Sequence, residues 1–176
     1  MANAGVLRQV REGLEKKFYD LCLNIVTENG YKLYDLEWHP GSGELRLFIM
    51  DPKTGSAVIE DCAKIDHALS PFIENESWMP ENLVLEVSSP GLFRNLSTIE
   101  HFKMIEGQEA SLTLFKNISE EQCPELPKAF RHNMKPKVKV LEATESEVKV
   151  ELKNVVFNIP YTQIKKANLE TELQNK

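Results

Sequence analysis

Cysteine is scarce in this chain of 176 residues. Cys22, Cys62 and Cys123 are odd in number, far apart and without a CxxC pair. That excludes a disulfide scaffold and a zinc module. No apolar run approaches the roughly 18 residues of a membrane-spanning helix. Arg8, Arg11 and Glu12 interrupt the segment in which a secretory signal needs a continuous apolar stretch. Positive charge is in short supply as well. With 21 Lys and Arg against 27 Asp and Glu, the net charge is −6, so bulk attraction to nucleic acid is not built into the composition. Hydrophobic residues at 41% and charged residues at 27% are an ordinary globular balance and exclude wholesale disorder. The expectation is a soluble cytoplasmic protein with one large or two small domains and no membrane contact.

Catalytic patterns are missing too. His39, His67, His101 and His132 show no HExxH or HxxxH spacing and read as surface or internally satisfied histidines. There is no Walker loop, GxGxxG or GxxG. Ser88-Ser89-Pro90-Gly91 lacks the GxSxG of a nucleophile turn, and its serines read as partners for turn amides. Asp35 and Glu37 alternate onto one strand face; two carboxylates alone describe a polar face better than a metal site. Cys22 reads as a small buried hydrophobe. No catalytic residue, metal, cofactor or small-molecule substrate is expected.

What is present is a change of period along the chain. Val6, Val10, Leu14, Phe18, Leu21, Cys22 and Ile25 follow three- and four-residue spacings, predicting one amphipathic helix over 4–29 that stops at Gly30. Strands follow at 31–38 and 45–50, joined by the Pro40–Gly43 loop. A second helix is predicted over 59–75, with Glu60 and Asp61 in its first turn, and a third strand at 83–87. This order, helix–strand–strand–helix–strand, predicts a two-layer α+β domain. Tyr31, Tyr34, Trp38 and Phe48 read as core filling more readily than as a base-stacking face, and Trp78 as a contact residue or a lid over the core.

The turn Ser88–Gly91 marks a boundary, giving domains 1–92 and 93–176. Beyond it, Ser97-Thr98-Ile99-Glu100 has the form of a capping box led by Ser97. The period then becomes two, with short strands near 110–115, 138–140, 148–152, 155–159 and 164–169. Five short strands with one helical turn before the last predict a small β-barrel. The stretch from Asn117 to Lys137 is a long loop for such a barrel. Charge is uneven: residues 1–95 hold 9 basic against 15 acidic residues, and residues 96–176 hold 12 of each. Lys128, Arg131, Lys135, Lys137 and Lys139 form an acid-free basic run beside His132. The acidic first part suits a basic protein partner and the basic run suits RNA phosphates.

Leu85-Glu86-Val87-Ser88-Ser89-Pro90-Gly91-Leu92 closely resembles the signature of the bacterial ribosome maturation factor RimP family. Tyr34-Asp35-Leu36-Glu37, Leu45–Ile49 with Asp61-Cys62, and Ile159-Pro160 with Ile164–Ala167 match the same family in order. The resemblance implies an α+β domain followed by an Sm-like β-barrel. It also implies a non-enzymatic factor that binds the immature small ribosomal subunit and assists its late assembly. Partners would be ribosomal RNA and a basic ribosomal protein, met by a monomer. Asp35, Glu37, Ser88, Ser89, Pro90, Gly91 and Arg94 are the candidates for the protein contact. Lys128, Arg131, Lys135, Lys137 and Lys139 are the candidates for RNA phosphates. The sequence departs from the family at Phe93-Arg94-Asn95-Leu96, where Asp-Arg-Pro-Leu is usual, and in the long barrel loop. A stand-alone Sm-like RNA-binding module is the competing reading.

Overall fold

The computed structural model describes residues 5–171. They divide into two compact units, one formed by Val10–Gly91 and the other by residues from Leu92 onward together with 5–9.

The first unit contains α1 (Gly13–Glu28), β1 (Lys32–His39), β2 (Glu44–Met50), α2 (Ile59–Asn75) and β3 (Val84–Ser88). The sheet order is β1-β2-β3: an antiparallel hairpin, then a parallel pair linked through α2. Leu36, Leu47 and Val87 lie in one cross-strand row and Trp38, Leu45 and Leu85 in the next. This face packs on Phe18, Cys22, Ile25 and Val26 of α1 and on Ile65 and Leu69 of α2. The two-layer α+β expectation for this part therefore holds. Trp78 is a lid: its ring lies 5.6 Å from that of Phe18, which also meets Trp38 at 4.8 Å.

The first helix is shorter than its spacing predicts. It begins at Gly13, whose φ of +56° is outside the helical range. Val10 is 88% exposed, while Val6 and Leu7 pack against the core of the other unit. Apolar spacing counts residues on a stripe but does not say which core the stripe belongs to.

The second unit contains α3 (Ile99–Met104), β4 (Glu109–Leu114), α4 (Lys128–Arg131), β5 (Lys137–Ala143), β6 (Glu147–Leu152), β7 (Val155–Pro160), a 3-10 turn (Tyr161–Gln163) and β8 (Ile164–Glu170). The strands match the five predicted. Their closure does not: the order is β7-β6-β5-β4-β8, all antiparallel, with β7 and β8 at opposite edges. The sheet is open, and the expectation of an Sm-like barrel is overturned. Closure would require β7 to pair with the outer edge of β8. That edge is taken by residues 94–96: Leu169 N–H donates to the Arg94 carbonyl and Leu96 N–H to the Ala167 carbonyl, each at 2.9 Å, with Asn95 bridging Asn168.

Two further local expectations shift. The N-cap of α3 is Thr98, whose hydroxyl accepts from His101 N–H at 3.1 Å. Ser97 instead donates its N–H to His101 Nδ1 at 3.1 Å, and its hydroxyl oxygen is buried with no hydrogen-bond partner among the described residues. The stretch after β4 is not a loose loop, because Ile118, Cys123 and Leu126 are all buried in the core of this unit.

Candidate interaction surfaces

On the face of the first sheet opposite the helices, the pairing sets two cross-strand rows. Asp35, Phe48 and Ser88 form one; Glu37, Arg46 and Glu86 form the other. The fold thus brings Asp35, Glu37 and Ser88 together, although Ser88 is more than fifty positions from Asp35. Their states differ. Register slips between Leu33 and Asp35, and residues 33–36 are all buried. Asp35 is only 7% exposed. Its Oδ1 accepts from Arg11 Nη2 at 3.0 Å and from Leu36 N–H at 2.8 Å. Arg11 also pairs with Glu15 and lies 4.9 Å from the Tyr19 ring centroid. Asp35 is therefore a buried structural carboxylate that ties the segment before α1 to the sheet. Glu37 is half-buried beside His39, at 3.3 Å. Arg46 lies between Glu44 at 3.3 Å and Glu86 at 3.4 Å. Three glutamates around one arginine leave this part of the face net negative.

Ser88 ends β3, and Ser89, Pro90 and Gly91 follow it. Gly91 has φ +82°, the left-handed value that position i+2 of a type II turn takes. Its N–H donates to Ser89 Oγ at 3.3 Å. The glycine requirement is conformational alone, because a Cβ there would meet no atom within 4 Å. Arg94 belongs to the second unit, and its carbonyl is held by β8. Asn95 accepts from Asn168 Nδ2 through Oδ1 at 2.7 Å.

The basic run does not form one patch. Lys128 and Arg131 lie on α4, and Arg131, with its side chain 13% exposed, pairs with Glu120 at 3.3 Å. Lys139 on β5 stands opposite Glu109 on β4 and Glu151 on β6. Lys137 pairs with Glu170 at 3.1 Å. Lys135 is exposed, and no ion pair engages it among the described residues. A run free of acids along the chain is laced with acids across the sheet. Lys165 and Lys166 are successive strand residues, which normally face opposite sides. Here register shifts where Thr113 pairs with Lys166 and Leu114 with Ile164, and both lysines are exposed.

A polar network buttresses the connection after β4. Gln163, 4% exposed, donates through Nε2 to the carbonyls of Asn117 at 3.2 Å and Lys116 at 3.3 Å. Its Oε1 accepts from Gln122 Nε2 at 3.0 Å, and the same nitrogen reaches the Asn158 carbonyl on edge strand β7 at 3.0 Å. An open cleft of about 800 Å³ lies here. Burial pushes the Cys22 thiol up to about 12, so it stays an unreactive core group. Among the described residues no cluster of three or more His, Cys, Asp or Glu is placed to hold a metal, and no helix is long and apolar enough to cross a membrane.

The element order, the acidic sheet face and the Ser88–Gly91 turn all fall within the first unit. Residues 21–93 match the family model described as the RimP N-terminal domain.

Proposed function

We propose that this protein is a RimP-type ribosome maturation factor. It binds the immature small ribosomal subunit in the cytoplasm and assists late assembly without catalysing a reaction. The observation that carries the reading is the match of residues 21–93 to the RimP N-terminal domain model, a span that includes Ser88–Gly91. The sheet face bearing Glu37, Glu44 and Glu86 supports a basic ribosomal protein as one partner, since complementary charge steers encounter and selects against other acidic surfaces. Ser88–Gly91 and Arg94 are the further candidates for that contact. Lysines of the second unit supply the contact with ribosomal RNA. Two modest contacts joined in one chain gain through effective concentration and still allow release. The competing reading, a stand-alone RNA-binding module, loses the closed barrel on which it relied.

The test is a sucrose-gradient profile of a lysate, blotted for this protein. Co-migration with free small subunits and absence from mature ribosomes is the expected result. A signal confined to the top of the gradient, at low salt and after gentle cross-linking, overturns the proposal.

A further inference from the structure

Charge on the outer face of the five-stranded sheet is sorted along β4. At the Glu109 end acids predominate: Glu109 lies between Lys139 and Glu170, and Lys139 pairs on its far side with Glu151. Toward the other end of β4 the pattern changes. Leu112 N–H donates to the Pro136 carbonyl at 2.9 Å and Leu114 N–H to the Met134 carbonyl at 2.8 Å. These bonds continue the β4–β5 register, so Lys135 stands opposite Thr113. On its other side Thr113 pairs with Lys166. The register shift at this point exposes Lys165 as well. Bulges commonly re-aim side chains at functional sites. Phe115 is the next outward residue of the β4 segment; it is 46% exposed and its N–H is held by the Gln163 carbonyl at 2.9 Å. Among the described residues no ion pair engages Lys135, Lys165 or Lys166.

We infer that this end of the sheet face, formed by Phe115, Thr113, Lys135, Lys165 and Lys166, binds a single-stranded RNA segment. Phe115 stacks a base, and the lysines neutralise the phosphates on either side of it. An exposed ring bordered by cations and a hydroxyl is the arrangement that tracks an unpaired strand. An acidic peptide would use the lysines and leave the ring idle. A duplex would offer the ring no unstacked base. The inference draws on the ribosomal reading only for the origin of the RNA.

The test is fluorescence anisotropy of the full chain with a labelled short oligouridine, titrated between about 50 and 200 mM salt. The double variant Lys135→Ala, Lys166→Ala is expected to lower the salt slope by about 1.4, from about 0.7 per lost single-strand phosphate contact. Phe115→Leu is expected to weaken binding about 5- to 150-fold at unchanged slope, since it keeps apolar volume but removes the stacking face. Lys149→Ala, at the Lys149–Glu142 pair of 3.0 Å, leaves both unchanged. Wild-type affinity retained by both test variants, no binding at the lowest salt, or equal competition by polyglutamate overturns the inference. Because no ribosomal particle is present, each of these results leaves the gradient experiment standing. Conversely, a failed gradient with intact oligouridine binding removes only the assembly role.

Discussion

Asp61 serves two donors from different parts of the first unit. Its Oδ1 accepts from the Tyr31 hydroxyl at 2.6 Å, and its Oδ2 accepts from Val58 N–H at 3.0 Å at the start of α2. Val58, the N-cap, has no side-chain oxygen to offer, so the carboxylate at N3 performs the capping. The Tyr31 hydrogen bond, then the Val58 amide, hold the Asp61 carboxyl below its usual 3.8; the same bond raises the Tyr31 hydroxyl above 10.0. The depressed carboxyl contributes stability above pH 3.8 that is lost as pH falls through its lower folded value. The raised phenol contributes below pH 10.0 and is lost as pH rises through its higher folded value. Asp61→Asn should therefore lower the melting temperature at neutral pH, and the gap from wild type should close in acid. A gap of constant size from neutral to strongly acidic pH would show that the carboxylate charge is not what caps the helix. An acid in the first turn of α2 was legible from the sequence. Its bond to Tyr31, thirty residues earlier, was not, because no local pattern encodes it.

At the scale of elements, strand number and alternation were readable and sheet closure was not. Period two shows that one face of each strand is buried, but edges are decided by which segment pairs with β8, and here residues 94–96 do. The register slips at Leu33/Asp35, Thr113/Leu114 and Val140/Glu142 were invisible for the same reason. The first two changed the candidate site most, burying Asp35 and exposing Lys165 beside Lys166. The stretch between β4 and β5 also read as a functional loop, whereas three of its side chains complete a core. Leu126 is 1% exposed, so Leu126→Ala should cost about 2–5 kcal/mol in urea unfolding. A cost below about 0.5 kcal/mol, the range of surface substitutions, would restore the loop reading.

At the scale of the whole molecule, the division into units does not follow chain order. Residues 5–9 precede the first unit yet belong to the second. Val6 N–H donates to the Tyr161 carbonyl at 3.3 Å and Arg8 N–H to the Ser97 carbonyl at 2.8 Å. Gly5 makes the approach possible: its φ is +65°, and a Cβ there would collide with the Tyr161 carbonyl oxygen. Gly5→Ala should destabilise the second unit by about 1–3 kcal/mol. Hydrogen exchange should speed up at the Val6 and Arg8 amides while residues 10–91 keep their protection. Unchanged exchange at those two amides would mean that the segment docks without needing the glycine.

The same attachment orders events during synthesis. Tyr161 follows Val6 by 155 residues, an interval of about 8–30 s at roughly 5–20 residues per second. The first unit has all its strands once Ser88 has left the exit tunnel. Residues 5–9 must wait for Tyr161, so a segment made before the first unit docks after it. For that interval Val6 and Leu7 stay open to any chaperone that captures apolar nascent chain.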